Sequence, residues 1–329
     1  MKLYAKEMVV NMRRKNKNKK IIMFSLVLLM CMMVGYSAFN TNINLKAKGN
    51  IIEINVEKLK QKIVSEGDGL YKDSYEERYI YKGKDPNNYI KFNGNTWRII
   101  AIEKDNTLKI MKTESIAKKE YDELNHRNNA NNTFCENTSK CNVWAKQEGI
   151  YKGYNKLGTV TEDATLNTYL NNEYLSTLDS KYITTHTFNV GGTSGESETI
   201  EKHIEDEKRV TWQGKVGLIT ATDYLKASTN PSCTSIHVSK KVGTICKENN
   251  YLALNIDYRI ITPLHGSYAD DNYYSWYISK EGSVGDADGS GTGGYGDTSI
   301  KLDILPVVYL SNTVTLKGKG TKTEMYEIK

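Results

Sequence analysis

The clearest alternation of apolar and polar positions lies in residues 89–111, YIKFNGNTWRIIAIEKDNTLKIM. Three runs in it are rich in β-branched and aromatic residues and predict strands: Tyr89–Phe92, Thr96–Glu103 and Leu108–Met111. Asn93-Gly94 separates the first two runs, and this dipeptide readily adopts the positive φ angles of a type I′ turn. Both faces of the middle strand carry apolar residues, among them Trp97, so we expect a three-stranded meander covered on both sides.

Apolar spacing elsewhere predicts three helices and several strands. Leu59 and Ile63 lie four residues apart, so residues 57–64 are compatible with a helix. Leu166, Leu170 and Tyr174 recur at helical spacing and predict a helix over 162–178. The run Thr220-Ala221-Thr222-Asp223 has the hydroxyl-x-x-acid pattern of a helix start, and a short helix is expected over 223–227. The remaining apolar runs predict strands: 51–56, 183–190, a hairpin of 210–213 with 215–219, 252–263, 273–279, 304–310, 314–316 and 325–328.

These elements predict the fold class. Strands and helices do not alternate as they do in a parallel α/β protein, and hairpins dominate, so the pattern predicts an α+β fold with a mostly antiparallel sheet and a few short helices. Pro306 lies inside one apolar run and favours an edge strand or a bulge, because proline has no N–H to donate to a sheet. No repeat or internal linker is visible in the sequence.

The N-terminal pattern is typical of a membrane-directed chain. Residues 1–20 hold eight Lys or Arg against one Glu, and the uncharged run 21–39 is close to the ~20 residues that cross a bilayer as a helix. The basic leader places the N-terminus in the cytoplasm and the rest outside. A cleaved signal peptide and a buried soluble helix are the alternatives to an uncleaved anchor. The predicted order is a basic tail, this anchor or signal segment, a connecting segment at 40–66 and an extracytoplasmic domain at 67–329.

The distribution of charge limits the partners. The whole chain has a formal charge of +6 and the first 20 residues carry +7, which leaves −1 on the rest. Such a domain has no positive field for nucleic acid. The predicted location is the cell membrane, with contact through residues 21–39, or the exterior of the cell if the leader is cleaved. Tyr is frequent (23) and Phe scarce (5), and residues 70–81, LYKDSYEERYIY, are especially dense in Tyr and charge.

Four cysteines follow the apolar run, and an even number in an exported region predicts disulfides. Three pairings are open. The local one, Cys135–Cys141 with Cys233–Cys246, is favoured because each pair brackets a short polar loop. A zinc site needs close pairs of Cys or His ligands, and Cys233 with His237 offers only a helix-like spacing of four. No metal site is therefore predicted from the cysteines.

The order of motifs resembles a group of uncharacterised exported bacterial proteins. Their signatures are a WRI strand, a GLI-A-DY step from strand to helix, a W-SP strand and a terminal VRPV-YL strand. The counterparts in this chain are WRII at 97–100, GLITATDY at 217–224, YRIITP at 258–263 and LPVVYL at 305–310. Leu305 replaces the arginine of the last motif, and Tyr258-Arg259 replaces the aromatic of the third. The group is similar to C-type-lectin-like domains, the fold of sulfatase-modifying factors, and the resemblance implies that fold for most of residues 20–312.

The candidate binding residues lie downstream, where aromatic and acidic side chains cluster. Tyr and Trp stack on sugars and anchor interfaces, and carboxylates accept hydrogen bonds from hydroxyls. The candidate set is Tyr268, Asp270, Asp271, Tyr273, Tyr274 and Trp276. Ordinary strand packing is the alternative for Trp276. Asp286, Asp288 and Asp297 lie in a Gly-rich run and match part of a calcium loop, but the EF-hand spacing and its Glu are missing, so a hairpin loop is the main expectation.

No sequence motif identifies a reaction. The chain has no Gly-x-Ser-x-Gly elbow and no phosphate loop with its lysine. We therefore predict no catalytic residue and no cofactor, and expect a membrane-anchored extracytoplasmic domain that binds a glycan or a surface protein. The resemblance implies one alternative, a cysteine-dependent oxidase related to sulfatase-modifying factors that would use Cys233 and Cys246. A self-assembling structural surface protein is the other.

Overall fold

The computed structural model describes Lys19, Met23, Leu26 and residues 53–153, 156–194, 199–234, 236, 245–265, 274–285 and 296–329. The chain divides into two units, 1–50 and 51–329, and every strand of the described residues lies in the second unit. The predicted membrane span at 21–39 lies outside the described residues except for Met23 and Leu26, which are helical. Among the described residues, no helix combines the length and the apolar character needed to cross a membrane.

Short strands dominate the described part of the second unit. The strands are β1 Ile54–Asn55, β2 Gly69–Lys72, β3 Tyr79–Lys82, β4 Tyr89–Phe92, β5 Asn95–Ile102, β6 Leu108–Lys112, β7 Lys118–Lys119, β8 Gln147–Lys152, β9 Leu157–Val160, β10 Ile183–Thr184, β11 His186–Asn189, β12 Thr211–Gly214, β13 Val216–Gly217, β14 Tyr258–Pro263, β15 Ser275–Ile278, β16 Val284–Gly285, β17 Leu302–Asp303, β18 Val307–Leu310, β19 Thr315–Lys317 and β20 Tyr326–Ile328. The helices are α1 Val56–Lys60, α2 Thr165–Tyr169, which continues through a π-helical turn Leu170–Tyr174 and a 3₁₀ turn Leu175–Thr177, α3 Ile200–Lys208 and α4 Ala221–Lys226.

The main sheet is organised around the predicted meander. Its strand order is β1-β19-β20-β4-β5-β6-β18-β10, with β13 also pairing with β18 and the β2–β3 hairpin attached to β5. The second half of β5 pairs with β3, through Ile102 opposite Tyr79 and Ala101 opposite Ile80. The long strand β5 therefore holds the β2–β3 hairpin against the core.

The meander forms as predicted. Strands β4, β5 and β6 pair antiparallel. Asn93 and Gly94 have φ angles of 50° and 75°, as a type I′ turn requires. Trp97, Ile99 and Ile100 are all buried, so both faces of β5 are covered. The expectation of a doubly covered strand is confirmed.

A second sheet, of order β16-β15-β14-β17-β7, and two small hairpins, β8–β9 and β11–β12, complete the sheets of the described residues. The pairs formed by these strands and by those of the main sheet are antiparallel except for β4 with β20 and β14 with β17, which are parallel. The domain is thus an α+β fold with mostly antiparallel sheets and a few short helices, as the pattern predicted.

Two predicted pairings differ from the structure. Residues 210–219 do not form a hairpin: β12 pairs with β11 and β13 pairs with β18. Pro306 does not mark an edge strand either, because β18 lies between β6 on one side and β10 and β13 on the other. Pro306 precedes the first residue of β18, where its carbonyl accepts a hydrogen bond from Lys112 N at 3.0 Å. The missing N–H is therefore outside the ladder of β18.

The sheet includes residues from the predicted connecting segment. Strand β1 pairs with β19, and Val56 and Leu59 of α1 are buried in the main core. Asn55 caps this helix through its side-chain oxygen, which accepts from Lys58 N at 2.9 Å. Residues 54–60 thus contribute both a strand and a helix to the domain.

Candidate functional site

Part of the predicted binding cluster lies in the described residues. Trp276 is fully buried and its Nε1 donates to the carbonyl of Thr193 at 3.0 Å. Tyr274 is half-buried and forms an isolated β-bridge with Asp297. Four other predicted members lie outside the described residues: Tyr268, Asp270, Asp271 and Tyr273. Trp276 therefore contributes to packing, which was its alternative interpretation.

Asp297 is the described member of the three calcium candidates, since Asp286 and Asp288 lie outside the described residues. Its carboxylate contacts the ammonium of Lys140 and accepts from the backbone and hydroxyl of Ser299 at 2.8 and 2.7 Å. The carboxylate oxygens of Asp297 are therefore already bound by groups of the protein itself. The described residues contain no group of His, Cys, Asp and Glu arranged to hold a metal.

Both predicted disulfides are present. Cys135 is bonded to Cys141 and Cys233 to Cys246, with Cα–Cα distances of 5.5 and 5.1 Å. The local pairing is confirmed. Cys233 lines a cleft in the protein surface, which makes the second disulfide part of a candidate site.

This cleft has a volume of about 450 Å³ and lies between the β2–β3 hairpin and the chain from Lys226 to Thr234. Small-molecule sites have volumes of about 300–1,000 Å³, so its size suits a small ligand. Its floor is buried and includes Ile200 and Leu225, whereas Tyr75, which is 41% exposed, stands at its rim. We name this feature the hairpin cleft.

The strand register of the hairpin decides which side chains face the cleft. Leu70 lies opposite Tyr81, and both are buried in the core. Gly69 lies opposite Lys82 on the other face, and Tyr71 is the diagonal neighbour. The Lys82 Nζ lies over the Tyr71 ring, 5.5 Å from its centroid. Tyr71 and Lys82 therefore form one wall of the cleft.

A network of ion pairs holds the hairpin loop, residues 73–78, against the core. Arg78 contacts Asp73, Glu76, Glu103 and Asp223 at 3.1, 2.8, 3.2 and 3.3 Å. The remaining contacts join three lysines to the same acids: Lys109 with Asp223, Lys208 with Glu76, and Lys226 with Asp73 and Glu76. Four carboxylates and four cations thus balance one another in this network.

Helix α4 places Asp223 in the network. The Thr220 hydroxyl accepts from Asp223 N at 3.1 Å, and the Asp223 carboxylate accepts from Thr220 N at 3.0 Å. This is the reciprocal capping box that the sequence predicted. The same carboxylate contacts Lys109 Nζ at 2.5 Å. One residue therefore caps the helix and joins it to the sheet.

The electrostatic environment shifts the titration of several of these groups. Burial alone would raise the pKa of Glu76, but the charges of Arg78 and Lys226 outweigh it and lower the pKa to about 2. Burial also lowers the pKa of Lys82, an effect that nearby Asp73 opposes and Lys226 reinforces. The carboxylate of Glu76 is therefore held in its ionised form, whereas burial disfavours the charged form of Lys82.

The opposite wall of the cleft offers hydroxyl and amide groups. The Ser228 hydroxyl oxygen accepts from Asn230 N at 3.1 Å, and the Asn230 side-chain oxygen accepts from Ser232 N at 2.9 Å. The Asn230 Nδ2 makes no hydrogen bond to any residue that the structure describes. Ser228, Thr229 and Asn230 line the cleft together with the exposed Thr234. This wall has hydrogen-bonding capacity to offer a polar ligand.

No protein-family model, curated protein or solved structure matches this chain. The candidate site therefore rests on its own geometry. The sequence contained one signal for it, the density of Tyr and charge in residues 70–81. That signal did not separate residues that face the cleft from residues in the ion network, because this division follows from the pairing of β2 with β3.

Proposed function

We propose that the protein is a membrane-anchored, non-catalytic binding domain outside the cytoplasm that takes a glycan in the hairpin cleft. The proposal includes a C-type-lectin-like fold and an anchor at residues 21–39. Support for the fold comes from the motif order, and support for the anchor from the uncharged run and the basic leader before it. The two disulfides fit a domain in an oxidising compartment.

The observation that carries the glycan proposal is the combination of groups around the cleft. Tyr71 and Tyr75 supply aromatic faces on one side, and Ser228, Thr229 and Asn230 supply hydroxyl and amide groups on the other. A sugar has an apolar ring face and a rim of hydroxyls, so it needs this pairing of surfaces. An apolar ligand would leave the polar wall without partners.

The two aromatic residues of the cleft, Tyr71 and Tyr75, are also held in place before a ligand binds. Tyr75 N donates to the Asp73 carboxylate at 3.0 Å, and the Tyr71 hydroxyl donates to the carbonyl of Gly67 at 2.5 Å. The same Asp73 is fixed by Arg78 and Lys226. A wall already ordered loses less conformational entropy on binding, and this favours affinity.

The oxidase alternative has less support. It requires reactive thiols, whereas Cys233 is bonded to Cys246 and is only 3% exposed. A buried disulfide at the cleft floor is suited to holding the polar wall in place. The chemistry of the cleft therefore favours binding over oxidation.

The test is a glycan array probed with the full chain in detergent, followed by calorimetry on the glycans that bind. Tyr75→Ala is expected to weaken binding at least about fivefold, from the loss of roughly 1 kcal/mol of aromatic contact. Tyr75→Phe keeps the ring and should bind as the wild type does. Leu157→Ala changes an exposed apolar residue outside the cleft and serves as the control. Absence of glycan binding, or unchanged binding by Tyr75→Ala, would overturn the proposal.

A further inference from the structure

We propose that Lys82 forms an anion subsite in the hairpin cleft, and that the glycan unit bound there is a sugar acid whose carboxylate contacts the Lys82 ammonium. This inference rests on the proposed function and adds a ligand class to it. It depends on the charge balance around the cleft, on the position of the Lys82 Nζ and on the polar groups opposite.

The ion network is balanced without Lys82. The four carboxylates of the ion network are matched by Arg78, Lys109, Lys208 and Lys226. Lys82 has no ion pair with any residue that the structure describes, although it lines the same cleft as Lys226. A half-buried ammonium with no carboxylate partner is a natural position for an anionic ligand.

The contacts of the Lys82 Nζ leave it able to bind. Its neighbour is the face of the Tyr71 ring, at 5.5 Å from the centroid. An ammonium has three N–H donors, and one aromatic face does not satisfy them all. The Tyr71 hydroxyl is already engaged with the carbonyl of Gly67. A ligand carboxylate would accept from Lys82 and at the same time neutralise its charge.

The charges that line the cleft favour a monoanion. Lys226 also lines the cleft, but its ammonium lies between Asp73 and Glu76 at 2.5 Å from each. Glu66 at the exposed rim would repel additional negative charge. The single ammonium of Lys82 suits a carboxylate better than a phosphate, which carries up to two negative charges.

The hydroxyl and amide groups of Ser228, Thr229 and Asn230, opposite Lys82, explain why the anion should belong to a sugar. In a sugar acid the carboxylate is attached to a ring that also carries hydroxyls, so one molecule could meet Lys82 on one side and Asn230 on the other. Asn230 Nδ2 is a donor with no partner among the described residues. Tyr75 at the rim offers a surface for the ring face. A simple carboxylate such as acetate would use Lys82 alone.

The experiment compares an oligosaccharide that ends in glucuronic acid with its carboxyl-reduced form, which ends in glucose. Binding of each to the full chain in detergent is measured by calorimetry, with acetate as a third probe. The wild type is expected to prefer the acid about tenfold or more, as for a hydrogen bond to a charged group. Lys82→Gln should remove this preference by weakening the acid alone, and Lys82→Arg should retain most of it. Lys84→Gln, at an exposed lysine that does not line the cleft, is the matched control.

The outcomes separate the two proposals. Equal wild-type binding of the acid and its reduced form overturns the anion subsite and leaves the glycan proposal standing. A preference that survives in Lys82→Gln also overturns the subsite. Acetate binding as tight as that of the sugar acid overturns the assignment of the bound anion to a sugar. Binding of neither sugar, together with an array that shows no glycan ligand, overturns the proposed function itself. The wild-type comparison needs no variant, so the test remains decisive even if Lys82→Gln does not fold.

Discussion

The substitution Asp223→Asn removes the carboxylate that faces the buried Lys109. The two side chains are 2% and 5% exposed and lie 2.5 Å apart, and the residues that the structure describes offer Lys109 no second ion pair. Arg78 also loses one contact, but it keeps those to Asp73, Glu76 and Glu103. The main consequence is therefore a buried ammonium without a counter-charge.

The expected cost follows from this geometry. Removing one partner of a buried ion pair destabilises a protein by about 3–5 kcal/mol, because the remaining charge stays desolvated. Asparagine retains a side-chain oxygen that can still accept from Thr220 N, so the helix cap contributes little to the change. For a domain of this size the loss corresponds to a fall in Tm of roughly 6–20 °C.

Urea denaturation of the full chain, followed by tryptophan fluorescence, measures the change in the free energy of unfolding. Glu103→Gln is the control, because Arg78 keeps three other carboxylates when that of Glu103 is removed; its cost should be clearly smaller than that of Asp223→Asn. Adding Lys109→Met to Asp223→Asn removes both charges and should recover part of the lost stability. A loss of less than about 1 kcal/mol for Asp223→Asn would refute the reasoning.

Two more predictions concern a buried acid and the second disulfide. Burial raises the pKa of Glu207 to about 7 from its usual 4.5, so its contribution to stability is full at low pH and is lost as pH rises through about 7. The free energy of unfolding of the wild type relative to that of Glu207→Gln should therefore fall between about pH 4.5 and pH 7 in urea titrations. A difference that stays constant over this pH range would contradict the prediction. Replacing Cys233 and Cys246 by Ser opens a loop with a sequence separation of 13 and should cost about 3 kcal/mol. It should also weaken glycan binding, whereas the matched change at Cys135 and Cys141 should leave the affinity unchanged.

Local chemistry made several elements predictable. Asn93-Gly94 selects its turn through φ angles that few other residues adopt easily. The Thr220 and Asp223 side chains cap α4 within one helical turn. Cys135 and Cys141 are only six residues apart. In each case the interacting groups are close in sequence, so the interaction can be predicted from a short stretch of residues.

Choice of strand partner was not predictable in the same way. Residues 210–219 alternate as two strands, but Trp212 pairs with Phe188 and Val216 pairs with Val308. Alternation specifies which face of a strand is buried and leaves its neighbour in the sheet undetermined. The core selects that neighbour through contacts between residues far apart in sequence.

By itself, the sequence determined the α+β class, the meander at 89–111 and the capping residues of α4, Thr220 and Asp223, and it favoured the local disulfides. It also carries the predictions of an anchor at 21–39 and of a binding function outside the cell. Only the tertiary structure decided where a ligand could be held. Lys226 meets Asp73 across 153 positions of sequence, and Lys109 meets Asp223 across 114. Ion pairs over such separations depend on the assembled sheet. The sequence alone therefore could not show that Lys82 has no ion pair among the described residues.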